Sequence, residues 1–79
     1  MDYRIEQVED CVPIWDIYFG NKEVGVLTCF PKEGPMATVE CINGAKITLG
    51  ANTVALCAAR AFDAHDAMME ALVIQEVGC

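Results

Sequence analysis

The feature that most constrains the fold is a change of hydrophobic period near residue 51. Before it, apolar residues fall in short runs rich in β-branched and aromatic side chains. From Asn52 to Leu72 they recur at about 100° per residue, which is the period of a helix. A chain with this order of elements buries its apolar surface by packing helix against sheet. The sequence therefore predicts an α+β fold, with an antiparallel sheet of four to five short strands and one C-terminal amphipathic helix packed on one face.

Five segments in the first part of the chain are typical of strands: residues 3–8, 14–19, 23–30, 36–42 and 45–49. Asp10 and Pro13 end the first of them. Gly20 and Asn21, and later Asn43 and Gly44, are turn residues that predict two β-hairpins. Residues 31–35 contain two prolines and a glycine, so we expect a loop there.

The helical segment has one apolar side and one acidic side. Asp63, Asp66 and Glu70 lie opposite the apolar residues Val54, Cys57, Ala58, Ala61, His65, Met68, Met69 and Leu72. Asn52 is the expected N-cap, and Gly78 the expected stop. Two helices broken near Phe62 are the alternative, because Asp63 and Asp66 could cap a second one. We expect one continuous helix.

The 79 residues form a single domain, residues 1–79, whose core is necessarily small. Because 54% of the chain is hydrophobic, a domain of this size retains apolar surface outside its core. Strand alternation places Trp15, Ile17 and Phe19 on one face of the sheet, and the other face receives Ile14, Asp16 and Tyr18. Both faces therefore carry apolar side chains, which predicts an interface.

The chain is strongly acidic, with twelve Asp and Glu against five Lys and Arg and a formal net charge of -7. Nucleic-acid binding draws most of its affinity from clustered basic residues. Here the basic residues are scattered singly, at Arg4, Lys22, Lys32, Lys46 and Arg60. The composition thus argues against direct nucleic-acid binding and favours either simple solubility or a basic protein partner.

Five cysteines do not form a recognisable metal or disulfide pattern. Their number is odd, their spacings contain no CxxC pair, and His65 is the only histidine. The polar, acidic start of the chain does not resemble a signal peptide, and no apolar run is long enough to span a membrane. We therefore expect a cytoplasmic protein with no cofactor and no metal, whose cysteines are buried free thiols except for an exposed Cys79.

No residue pattern predicts catalysis. His65 could act as a general base with Asp63 or Asp66, but neighbours one or two positions apart on a helix point away from each other. Cys57 and His65 are eight residues apart, about 12 Å along a helix, which is too far for a nucleophile and its base. We expect His65 to make one hydrogen bond to the sheet or across a dimer contact. No catalytic residue is predicted.

One segment resembles a known class of proteins. Ala51, Asn52, Leu56, Ala58 and Ala59, followed by residues 68–72 (Met-Met-Glu-Ala-Leu), resemble the C-terminal helix of small phage and prophage accessory proteins of unassigned role. The likeness covers about a quarter of the chain. In this chain residues 60–67 separate the two halves of the motif, and the proline that often follows the alanines is absent. The resemblance implies a phage origin and brings no catalytic residues with it.

These observations predict a non-enzymatic, acidic protein that binds another protein. Its sharpest form is an inhibitor of a host defence or nucleic-acid-processing complex, comparable to an anti-CRISPR protein, with a basic nucleic-acid-binding assembly as partner. The expected partner-binding residues are Asp63, Asp66, Glu70, Trp15 and Tyr18. Two alternatives stay open: a self-assembling structural homodimer, and a cysteine-dependent enzyme or metal protein.

Overall fold

The structure is a computed structural model that describes the backbone of residues 3–41 and 43–77, and the side chains of these residues up to Ala71. Five strands form one antiparallel sheet in the order of the sequence, and α1 packs on it mainly at β4, with further contacts to β3 and β5. The elements are β1 (Tyr3–Gln7), β2 (Ile14–Phe19), β3 (Lys22–Phe30), β4 (Gly34–Glu40), β5 (Lys46–Gly50) and α1 (Val54–Val77). The predicted α+β architecture is confirmed.

Both predicted hairpins are present, and their glycines have the backbone conformation that the turns require. Phe19 pairs with Lys22 across a two-residue turn in which Gly20 has a φ of 63°. In the second turn Gly44 has a φ of 87°, and the side-chain oxygen of Asn43 accepts a hydrogen bond from the N–H of Ala45 at 3.0 Å. Positive φ values cost glycine little, which explains its place at both reversals.

Several strand boundaries differ from the sequence-based prediction by one or two residues, and the largest change at the start of a strand is in β4. β4 begins at Gly34, so Pro35 lies within the strand and not in a loop. The carbonyl of Pro35 accepts a hydrogen bond from the N–H of Ala51 at 3.3 Å. The N–H that proline lacks would face the same residue, which lies just past the end of β5, so proline is tolerated at this position. β1 ends at Gln7, and Val8 beyond it is 56% exposed. Ile42, the predicted end of the fourth strand, lies outside the described residues.

The helix is continuous through Phe62, as predicted, but it begins one residue later than expected. Thr53 is the N-cap in place of Asn52, because its hydroxyl accepts the N–H of Leu56 at 3.1 Å and its carbonyl accepts the N–H of Cys57 at 2.9 Å. The predicted stop at Gly78 lies outside the described residues.

The core lies between α1 and one face of the sheet, which we call the covered face. Small helix residues, Cys57, Ala58 and Ala61, pack against it and let the helix sit close to the strands. A β-bulge opposite Ile17 and Tyr18 adds one residue to β3. The sheet contributes the buried side chains of Ile17, Val24, Leu27, Ala37 and Val39.

The expectation of buried free thiols is correct for two of the described cysteines and wrong for another. Cys41 and Cys57 are buried, Cys29 is half-buried, and Cys11 is exposed. Cys11 lies in the connection between β1 and β2 with a φ of 66°, a conformation found in turns at the surface. Cys79 lies outside the described residues.

Candidate protein-binding surface

The face of the sheet opposite α1 is not covered by any other described element, and we call it the open face. Two of its side chains, Val26 and Phe30, are 38% and 43% exposed. By strand alternation its further members are Arg4, Glu6, Ile14, Asp16, Tyr18, Glu23, Thr28, Met36, Thr38, Glu40, Lys46 and Thr48. The open face therefore offers apolar and charged side chains from all five strands.

Four apolar side chains, Ile14, Val26, Phe30 and Met36, lie together on the three central strands and form what we call the apolar patch. Ile14 of β2 pairs with Thr28 of β3, and Thr28 pairs with Met36 of β4. Val26 and Phe30 flank Thr28 two residues away along β3, on the same face. The patch is therefore contiguous across the register.

Carboxylates border the apolar patch on one side. Glu6 of β1 lies directly opposite Asp16 of β2, and Glu23 lies opposite Tyr18. We call Glu6, Asp16 and Glu23 the acidic flank. Arg4 pairs with Glu6 at 2.6 Å between Nε and Oε2. Among the side chains that the structure describes, Asp16 and Glu23 form no ion pair.

Tyr18 marks the centre of this negative region. The Arg4 guanidinium lies 4.7 Å from the centre of its ring, a cation–π distance. Partial burial raises the pKa of the Tyr18 phenol, and the neighbouring carboxylates, Asp16 first, raise it further. Arg4 lowers it in part. The acidic flank therefore dominates the electrostatics around this side chain.

A groove of about 400 Å³ adjoins the acidic flank where β3 and β4 diverge. Their pairing ends at Gly25 and Val39. The groove is lined by residues of β3 and β4 on both sides of that pair, and by Cys41 and Gly44. Glu23 and Glu40 are among its lining residues. The open face is thus indented rather than flat at this end.

The structure does not bring the five predicted partner-binding residues together. Trp15 lies on the covered face and packs against the core. Tyr18 lies on the open face. Asp63 and Glu70 are exposed on α1, and Asp66 beside them is half-buried. Helix and open face are separate surfaces on opposite sides of the sheet, so the five residues cannot form one site. Their role in binding stays a prediction.

His65 is held in an aromatic cluster between helix and sheet. It is 2% exposed, and the Tyr3 hydroxyl lies 2.7 Å from its Nδ1. Phe62 stacks on Tyr3 with ring centres 5.1 Å apart. Burial lowers the pKa of His65, an effect that Asp66 opposes and Lys22 reinforces. In the neutral ring Nδ1 can accept the phenol hydrogen, so His65 makes the predicted hydrogen bond to the sheet.

The geometry gives no support to a cysteine-based site. Burial raises the pKa of the Cys57 thiol, which leaves it protonated at neutral pH. The His65 nitrogen that could serve as a base is bonded to Tyr3 instead. Cys41 Sγ contacts Met69 Sδ at 3.5 Å. Among the described residues, no group of three His, Cys, Asp or Glu side chains is placed to hold a metal ion.

Sequence reasoning missed most of the open face. Alternation in β2 predicts Ile14 and Tyr18 on one face, but no pattern in the sequence indicates Val26 and Phe30 beside them. The signal that could have found them is the register, because the β3 residues opposite Asp16 and Ile14 in the same hairpin share their face. Counting from the turn at Gly20 places Val26 on the wrong face, because the β-bulge at Ile17 and Tyr18 shifts the register by one residue.

None of the helices in the described part of the chain is both long and apolar enough to cross a membrane. Comparisons with protein-family models, with curated proteins and with solved structures gave no significant match. Function is therefore inferred from the side chains of this chain alone.

Proposed function

We propose that this protein is a non-enzymatic accessory protein that binds another protein through its open face. The observation that carries the proposal is the contiguous apolar patch on a sheet face that α1 leaves uncovered, with Val26 and Phe30 38% and 43% exposed. Exposed apolar patches rimmed by polar residues are typical of protein–protein interaction sites. The acidic flank makes one side of this rim negatively charged and thus favours a basic partner.

The sharpest form of this proposal is a phage-encoded inhibitor that acts in the host cytoplasm on a basic nucleic-acid-binding complex of defence or nucleic-acid processing. The net charge of -7 supports it, because such a complex attracts anions to the channel that holds its nucleic acid. Asp63, Asp66 and Glu70 on α1 add a second acidic surface. Their spacing of three and four residues places them on one side of the helix.

The experiment that tests the proposal is photo-crosslinking at chosen surface positions. A benzophenone amino acid replaces Val26 on the open face or, as a matched control, Ala67 on the exposed side of α1. We expect the probe at Val26 to capture one host protein in stoichiometric amount, and the probe at Ala67 to capture less of it. Pull-downs at low and moderate salt that return no stoichiometric partner, with no crosslink at either position, would overturn the proposal.

A homodimer is the second candidate, and the free edge of β5 favours it. Cys41 and Ala45 share a ladder hydrogen bond, so by alternation the N–H and C=O groups of Lys46 and Thr48 point away from β4. Ile47 on the same strand is 39% exposed. Light scattering during size-exclusion chromatography of the reduced protein decides this point, because a monomeric mass at every concentration removes the homodimer.

A further inference from the structure

We propose that the occupant of the open face is a basic amphipathic helix of the partner, with its apolar side on the apolar patch and its basic flank on the acidic flank. This inference rests on the proposed function and names the chemistry of the partner segment. It follows from the dimensions of the patch, the arrangement of its charges and the character of the competing occupants.

The apolar patch has the dimensions of a short helical contact. Val26 and Phe30 are four residues apart on β3, about 13 Å along the strand. β2 and β4 are separated by two strand spacings, about 10 Å. Two turns of helix are about 11 Å long, and a helix with its side chains is about 10 Å wide. A helix that places three or four apolar side chains on the patch therefore covers it.

The charges on the open face require cations on one side of that helix. Like charges directly opposite each other on neighbouring strands are destabilising, and Glu6 lies directly opposite Asp16. Arg4 neutralises Glu6, while Asp16 and Glu23 have no ion-pair partner among the described side chains. A Lys or Arg from the partner would pair with these two remaining carboxylates. The acidic flank runs from Glu6 of β1 and Asp16 of β2 to Glu23 of β3, so the docked helix meets it beside Val26.

A second copy of this chain fits the open face poorly. The exposed side of α1 presents Asp63 and Glu70, so docking the helix of another copy would bring carboxylates against Asp16 and Glu23. Two open faces stacked about a two-fold axis at the acidic flank would also bring its carboxylates together. Charge complementarity thus separates the two classes of occupant and favours a basic segment from a different protein.

The groove between β3 and β4 gives the docked helix an anchor point. Val26 and Thr38 line the groove and also belong to the open face, so the two surfaces are continuous. Glu23 stands at its rim, while Lys46 already pairs with Glu40 at 3.5 Å. A basic side chain that enters the groove can place its aliphatic part on Val26 and its charge near Glu23.

The test uses a synthetic amphipathic peptide of about 18 residues, five turns of helix. Leucines form its apolar side and lysines occupy one flank. The control peptide has glutamates in place of the lysines. Binding to the full chain is followed by amide chemical shifts and by fluorescence anisotropy at low and moderate salt. We expect the lysine peptide to shift amides of β2, β3 and β4, and the glutamate peptide to bind at least about tenfold more weakly.

Matched charge-reversal variants locate the contact. The double variant Asp16→Lys with Glu23→Lys changes the acidic flank, and Asp63→Lys with Glu70→Lys makes the same charge change on α1. We expect the first pair to weaken lysine-peptide binding about tenfold and the second pair to leave it within about twofold. Folding of each variant is checked by circular dichroism and by the fluorescence of Trp15.

Three results would overturn this inference: no binding of the lysine peptide, equal binding of the glutamate peptide, or loss of binding in the α1 pair but not in the acidic-flank pair. The outcome is distinct from that of the crosslinking experiment. A host partner captured at Val26 without peptide binding leaves the proposed function intact and removes the basic helix. Peptide binding without a captured partner supports the fit of a basic helix to the open face and removes the proposed host partner.

Discussion

The two faces of the sheet are built from alternate residues of the same strands, yet they differ in how far their side chains are buried. On the covered face, Ile17, Leu27 and Val39 are wholly buried. Their sequence neighbours on the open face, Asp16, Val26 and Thr38, remain accessible at least in part. The difference teaches that one step along a strand separates a residue that holds the fold together from one that is available for binding.

The covered face owes its tight packing to small groups. Cys57, Ala58 and Ala61 bring the axis of α1 close to β4, and Gly25 lies at the β-bulge where β3 passes Val39. Large side chains are unnecessary where backbones approach closely. The open face has no helix against its side chains, among them Phe30, Met36 and Tyr18. Changes in side-chain size should therefore lower the free energy of unfolding on the covered face and have little effect on it on the open face.

The largest effect is expected from Gly25→Ala. A methyl group there would overlap the carbonyl oxygen of Thr38 and lie 3.0 Å from the Cα of Val39, both rigid parts of β4. We expect the free energy of unfolding to fall by more than about 3 kcal/mol, because strands β3 and β4 must move apart. Urea unfolding monitored by Trp15 fluorescence measures this.

Gly20→Ala is the matched control, since its Cβ would meet nothing within 4 Å and only the positive φ of 63° opposes it. We expect a loss of about 1 kcal/mol at that turn. If Gly25→Ala cost no more than Gly20→Ala, the close approach of β3 to β4 would be wrong.

The next effect compares two neighbours on β3 directly. Leu27→Ala removes a fully buried side chain from the covered face, so we expect a loss of about 3 kcal/mol in the free energy of unfolding. Val26→Ala on the open face should cost less than about 1 kcal/mol, because Val26 is 38% exposed. Equal losses for the two variants would mean that the open face is covered in solution.

The pH dependence of stability contrasts the buried His65 with the exposed carboxylates. Burial holds the pKa of His65 below that of the unfolded chain, where a histidine titrates near about 6.5. The unfolded state therefore binds a proton more readily than the folded state. The contribution of His65 is fully present above the unfolded pKa and is lost as pH falls below it towards the folded value.

Two variants test this assignment. His65→Gln should flatten the decline in stability between pH 7 and pH 5 relative to the wild type, because both proteins share the same carboxylates. Tyr3→Phe removes the phenol that bonds His65 Nδ1 at 2.7 Å, and we expect a loss of about 1 to 2 kcal/mol at pH 7. Identical pH profiles for wild type and His65→Gln would contradict the buried, neutral histidine.

The elements of the fold were predictable because their signals are local. Richness in β-branched and aromatic residues identifies β2 and β3, Asn43 and Gly44 identify a hairpin turn, and the helical period identifies α1. Pro35 was misplaced because proline is tolerated at a strand position whose missing donor faces the end of the ladder. That position depends on β5, which lies far along the sequence.

The candidate surface was only partly predictable, because it depends on which face α1 covers. Trp15 and Tyr18 are three residues apart and both aromatic, so the sequence gives no reason to treat them differently until alternation is combined with the position of the helix. The helix covers the face that carries Trp15. Similarly, the helical period placed Asp63, Asp66 and Glu70 on one side, but not on the far side of the molecule from Tyr18.

The smallest expected effect concerns the N-terminus of α1, the helix that covers one of the two faces. Thr53→Ala removes the hydroxyl that accepts the N–H of Leu56, and we expect a loss of about 1 kcal/mol in the free energy of unfolding. Asn52→Ala should cost less than about 0.5 kcal/mol, because α1 begins at Val54 and the cap is supplied by its neighbour. Urea midpoints of the two variants, with unchanged slopes, measure the difference. A larger loss for Asn52→Ala would mean that the helix begins one residue earlier. Its first turn would then have a different orientation relative to β5. Since Val54 at the start of α1 packs against the core, as Leu49 of β5 does, that result would also change which side chains the covered face buries.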